Sequence, residues 1–151
     1  MNRIPGGTGG SDRVGDVGLL LFRVFVGLAL AFGHGLGKLP PSEGFLAGVV
    51  EMGFPAATMF AWAAGLSEFV GGLCIALGLM TRPAALFVGI TMSVAAFIRQ
   101  AGDPFTDIEK ALLFLAAAVL LLFMGAGRYS VDAVLQRRGR ARQGTTLHFG
   151  A

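Results

Sequence analysis

Residues 57–79 read ATMFAWAAGLSEFVGGLCIALGL, an apolar run broken by a single acid, Glu68. At about 1.5 Å of rise per residue, a helix of this length crosses the ~30 Å hydrocarbon of a bilayer. Working outward, residues 17–36 form a second such run, apolar except for Arg23 and His34. Beyond Leu79 the chain turns at Met80-Thr81-Arg82-Pro83, where Pro83 suits the first turn of a new helix because its missing N–H needs no partner there. Residues 83–98 are uncharged and reach across if Arg99 extends its head to the interface. A last run covers 108–126, with Gly127 as a helix stop and Tyr129 at the level of an aromatic belt.

The pattern predicts an all-α integral membrane protein: a four-transmembrane-helix bundle with spans at 17–36, 57–79, 83–98 and 108–126. Composition agrees, since 54% of residues are hydrophobic and 14% charged, against about 25% charged in soluble domains. Between the first two spans, residues 44–52 read as a short surface helix within a connection. The Gly-rich segment 1–16 and the basic segment 136–151 are expected to be disordered tails. Ala29-Leu30-Ala31 resembles a signal-peptide cleavage site, but Arg23 inside the apolar region argues against that reading.

Charge sets the orientation. The N-terminal segment, the 81–82 hairpin and the C-terminal segment hold Arg3, Arg13, Arg82, Arg128, Arg137, Arg138, Arg140 and Arg142, whereas the other two connections hold Lys38, Arg99 and Lys110. Both termini are therefore expected in the cytoplasm. The net charge of +3 comes from arginines next to the last apolar run, where anionic lipid headgroups attract them, so nucleic acid is not the expected partner. The lone Cys74 permits no disulfide, no dithiol and no thiolate cage, and no residue set reads as a metal site.

Ionisable groups in lipid cost about 2.5–3.5 kcal/mol each on insertion scales, so each needs a partner or a function. If the first two spans meet the outer face at the same level, Arg23 lies about 20 Å and Glu68 about 17 Å below it. That predicts a buried Arg23–Glu68 ion pair, structural or proton-handling. Ala64, Gly72 and Ala76 repeat every fourth residue with Glu68, and Gly71 lies beside them, giving a small-residue surface for close helix packing. His34 and Lys38 are four residues apart and share a face if the helix is regular, and Glu109 opens the last span from the same side. These three are the candidate site at the outer end, with His34 and Glu109 handling protons and Lys38 stabilising an anionic oxygen. The competing reading is an interfacial Lys38–Glu109 salt bridge beside a satisfied histidine.

Arg23 with Gly27, Gly33-His34-Gly35 with Lys38-Leu39, and Gly53-Phe54-Pro55 resemble the opening of the DoxX family of small bacterial membrane proteins. Glu68 with Gly71-Gly72, Gly78-Leu79 before Thr81-Arg82, Glu109, and Gly127-Arg128-Tyr129-Ser130 with Asp132 resemble its later landmarks, over residues 17–135 in all. The resemblance implies a multi-pass protein of the bacterial inner membrane, associated with quinone-linked oxidoreductases. It makes quinone the implied cofactor, with none read from the chain itself, and a soluble or membrane redox partner the implied company. A non-catalytic scaffold or anchor and a small carrier stand as alternatives, a homo-oligomer is compatible with each, and whether the chain is itself an enzyme stays open.

Overall fold

The computed structural model describes residues 11–146, with side chains from 13 to 138. Among these residues there is helix and no strand. Helix α1 (Ser11–Leu30) runs on through a π-helical turn, Ala31–Gly35, and a 3₁₀ turn, Leu36–Lys38. Then follow α2 (Glu43–Glu51), α3 (Ala57–Leu77), α4 (Thr81–Val94) with its π-helical extension Ala95–Arg99, α5 (Phe105–Met124) and α6 (Val131–Thr146). Arg13–Lys38, Ala57–Leu77 and Thr81–Arg99 are long and apolar enough to cross a membrane. α5 has the length, but Asp107, Glu109 and Lys110 crowd its first two turns.

The helix ends follow local chemistry. Ser42 caps α2 by accepting from the Phe45 N–H at 3.3 Å. Gly78 ends α3 in the left-handed conformation (φ 69°), with Leu79 N–H bonded back to the Cys74 carbonyl at 2.9 Å. Gly125 (φ 75°) stops α5 ahead of Gly127. Ser130 starts α6 by accepting from Ala133 N–H at 3.1 Å.

Two expectations at the chain ends change. Helix α1 begins at Ser11, inside the segment expected to be a tail, while residues 1–10 lie outside the described residues. Helix α6 runs to Thr146, into the segment 136–151 expected to be a tail, because its cap is followed by a run of good helix formers, Leu135-Gln136-Arg137-Arg138; residues 147–151 lie outside the described residues.

The long helices pack in sequence: α1 on α3, α3 on α4, α4 on α5, with a slighter contact from α5 back to α1. Val26, Leu30, Ile75, Ala85, Val88 and Leu121 lie at the centre. Large apolar side chains such as Phe25, Phe32, Phe87 and Phe123 point outward, whereas Arg23 and Glu68 are buried. That is the inverse of a water-soluble surface and matches a lipid surround.

Small residues set the α1–α3 distance. A Cβ on Gly27 would lie 2.5 Å from the Gly72 carbonyl oxygen and 2.6 Å from the Ala76 nitrogen, and one on Gly72 would meet Gly27 and Ala31 in turn. Gly71 faces Val88 of α4, while Ala64 lines a cavity described below. Because the obstacles at Gly27 are backbone, the helices have to separate to admit a methyl group. Gly27→Ala is expected to lower the detergent-phase unfolding free energy by about 1–3 kcal/mol. Gly18→Ala, with nothing within 4 Å, is expected to be neutral or mildly stabilising. Equal melting of the two variants would refute this account of the contact.

Candidate functional site

Two buried charges lie at different levels of the bundle. Midway along α1, beside the turn between α3 and α4, Arg23 is 1% exposed and donates to the carbonyl oxygens of Ala126 at 2.9 Å and Tyr129 at 2.7 Å. It packs so tightly under Gly78 that a Cβ there would overlap the guanidinium. Those carbonyls follow the C-terminus of α5, where partial negative charge favours a cation.

The expected Arg23–Glu68 pair is therefore not formed. Its depth arithmetic placed the ends of α1 and α3 at one level. In the structure a Cβ on Gly65 would touch Leu39 and the Lys38 carbonyl, so α1 and its extension end about 12 Å along α3 from Ala57. The whole of α1 is displaced along α3 by that amount, which carries Arg23 past Glu68 and brings Lys38 to it. The Lys38 ammonium lies 2.5 Å from Glu68 Oε1, the one salt bridge among the described residues. Glu68 is fully buried, and its second oxygen, Oε2, has no partner.

The expected cluster of His34, Lys38 and Glu109 does not assemble either. His34 meets the Phe114 ring edge-on, with centroids 5.2 Å apart, and Glu109 is exposed. Among the described residues no hydrogen bond or salt bridge joins Glu109 to either of the others. A shared face for His34 and Lys38 requires a regular α-helix. The wide π turn and tight 3₁₀ turn between them break that register, turning His34 toward α5 and Lys38 toward α3.

Beside the Lys38–Glu68 pair is a cavity of about 460 Å³ between α2, α3 and α4. Its deep end holds Lys38, Glu68, Ser67 and Thr91, with the Thr91 hydroxyl donating to Ser67 Oγ at 2.9 Å. Its walls are apolar, with Phe45, Val49, Met52, Phe60, Phe87 and Ile90 among them, and Arg99 stands at the end nearer the α2 loops. Phe87 (61% exposed) and Ile90 (53%) belong both to this lining and to the outer surface of α4, so the cavity opens sideways onto the face that lipid would cover. Such a space suits a flat or elongated apolar molecule with one polar end. Sequence reasoning missed Ser67, Thr91 and Arg99. For Ser67 and Thr91 the available signal was a hydroxyl midway along an apolar run.

The arrangement can be set beside known proteins. The DoxX family profile matches residues 18–101, more than half of the chain. The chain belongs to the DoxX family. Among curated DoxX-like relatives, "Uncharacterized membrane protein Rv3486" of Mycobacterium tuberculosis is 32% identical over 142 residues, covering 84% of this chain and 86% of that protein. "Inner membrane protein YqjF" of Escherichia coli is 30% identical over 132 residues, covering 83% and 98%. "Putative oxidoreductase CatD" of Bacillus subtilis is 29% identical over 118 residues, covering 78% and 86%. No solved structure matches the chain. Two of these DoxX relatives are named as membrane proteins, in keeping with the outward apolar surface.

The altered pairing is testable by double-mutant cycles on detergent-solubilised protein. Lys38→Met and Glu68→Gln are expected to be non-additive, with a coupling of about 1 kcal/mol or more, since losing Lys38 strands a fully buried carboxylate and losing that carboxylate leaves a half-buried ammonium without its partner. Arg23→Gln and Glu68→Gln are expected to add. Arg23→Gln alone should cost about 3 kcal/mol by removing charge-assisted bonds to two carbonyls. Coupling between Arg23 and Glu68 comparable to that of Lys38 would contradict the geometry.

Proposed function

We propose that this DoxX protein is the membrane subunit of a quinone-linked oxidoreductase system, and that the cavity between α2, α3 and α4 holds the quinone while a partner protein supplies the electrons. The observation that carries the reading is the buried, unpartnered Oε2 of Glu68 beside the Lys38 ammonium, at the polar end of an otherwise apolar cavity open to lipid. The name of the Bacillus subtilis relative, "Putative oxidoreductase CatD", supports the redox side.

The residues present fit such a group. A quinone, when bound, supplies two-electron, two-proton chemistry. Lys38 is placed to donate a hydrogen bond to a ring oxygen and to stabilise negative charge there. Glu68 Oε2 accepts from a hydroxyl when ionised and donates when protonated, so it can hold or pass one proton. The Lys38 side chain is 32% exposed, which gives the pair a route toward water. Aromatic walls at Phe45, Phe60 and Phe87 exclude water from the apolar part and orient a flat ring.

The same reading places the chain in the bacterial inner membrane with four spans and both termini cytoplasmic, α5 being the fourth. Its early charges, Asp107, Glu109 and Lys110, would then sit at the outer interface, where they cost little. A second reading, an anchor for a soluble partner, draws on α6, which presents Val134, Leu135, Arg137 and Arg138 outward.

Protein purified in mild detergent is expected to carry quinone detectable by mass spectrometry of its organic extract. Glu68→Gln and Lys38→Met should each reduce it about tenfold, the equivalent of one lost charge-assisted hydrogen bond. Quinone content at the level of an unrelated membrane protein, or unchanged in both variants, defeats the proposal and favours the anchor. For topology, a C-terminal fusion to a phosphatase active only in the periplasm should stay silent, and strong activity would reverse the orientation.

A further inference from the structure

The opposite end of the molecule holds a second cavity, of about 450 Å³, that the redox reading does not use. It is bounded by the first turn of α4, the exit of α5 at Met124–Gly127 and the first turns of α6. Its charged lining is one cation, Arg82, and one anion, Asp132. Arg82 spends one N–H on the Phe123 carbonyl at 3.2 Å, leaving the rest of its donor fork available. Asp132 accepts from the Met80 N–H at 2.9 Å and the Thr81 N–H at 3.2 Å, which fixes both carboxylate oxygens while leaving each with further lone pairs. Thr81 lines the cavity, is 1% exposed, and its hydroxyl has no partner. A buried hydroxyl left unsatisfied is unfavourable, so a bound group that meets it is favoured.

The position says what that group belongs to. The cavity sits where the apolar helices α4 and α5 meet polar chain, and Met80, Phe123 and Met124 form an exposed apolar skirt around it. A ligand there has its polar part among Arg82, Asp132 and Thr81 and its apolar part along the helices. Asp132 also feels the charge of the buried Arg23, but that guanidinium donates to Ala126 and Tyr129 and not to Asp132, so a simple anion would engage Arg82 alone whereas a zwitterion engages Arg82 and the open lone pairs of Asp132. We propose that this cavity binds the aminoalkyl-phosphate headgroup of a bilayer lipid, with phosphate on Arg82 and a primary ammonium on Asp132. The basic face of α6, with Arg137 and Arg138 outside the lining, attracts anionic lipid in general but does not distinguish headgroups.

The test uses the full chain, purified and delipidated in detergent, then given dioleoyl phosphatidylethanolamine, phosphatidylcholine or phosphatidylglycerol at equal mole fraction. Retention is read by native mass spectrometry and stabilisation by thermal unfolding. Phosphatidylethanolamine is expected to be retained about tenfold better than phosphatidylcholine, whose quaternary ammonium has no N–H to donate to Asp132. Arg82→Gln and Thr81→Val, which leave the Asp132 carboxylate and its backbone bonds in place, should each abolish the preference. If the Thr81 hydroxyl meets no ligand, Thr81→Val melts higher and keeps the preference, which counts against the site. Equal retention of the three lipids, preference for phosphatidylglycerol, or a preference surviving in either variant overturns the proposal. Stabilisation by soluble phosphoethanolamine equal to that by the lipid overturns the assignment to a lipid source.

Discussion

A buried guanidinium bound to backbone carbonyls is the constraint on which the rest of the structure rests. Arg23 cannot be moved toward water without giving up Ala126 and Tyr129, so the chain after α5 is drawn across the end of α1. That segment places Ser130 to start α6, and α6 places Asp132 over the first N–H groups of α4. Asp132 N–H in turn bonds the Gly78 carbonyl at 3.0 Å. One charge thus closes a circuit through α1, the α3–α4 turn, α5 and α6. Gly78 must be glycine on two counts, its left-handed φ and the guanidinium against it.

The circuit also explains the stagger of α1. With Arg23 tied to one end and Gly27 locked against Gly72 and Ala76, the far end of α1 falls short along α3. The shortfall is what lets Lys38, near the end of the first apolar run, reach an acid in the middle of the second. A structural requirement at one end therefore creates the polar pocket floor at the other.

The sequence made the helices legible because span length and apolar composition are one-dimensional properties. The glycine surface on α3 and the hairpin at Thr81-Arg82 were readable for the same reason, each depending on neighbours close in the chain. The partner of Glu68 was not legible. It depended on the relative shift of two helices, which is set by contacts between residues far apart in sequence, and an assumed common level was wrong by about eight residues at ~1.5 Å each. The π and 3₁₀ turns after Leu30 were equally hidden, since His34 and Lys38 within them read as functional groups on a regular helix, and the turns scattered the expected cluster of His34, Lys38 and Glu109. Glu68 itself was found from chemistry alone, because an acid in an apolar run demands an explanation wherever its partner lies.

Helix α2 fills the gap left by the short α1, and it does so on modest terms. It packs chiefly on α3 and has a single buried residue, Val49. Neither the Arg23 circuit nor the α1–α3 glycine contact runs through it. In terms of local unfolding, α2 is then a unit whose opening free energy lies well below that of the bundle. Its amides should exchange with solvent while those of α3 stay protected, so the cavity can be laid open to a lipid-borne molecule without loosening the helices that hold Glu68.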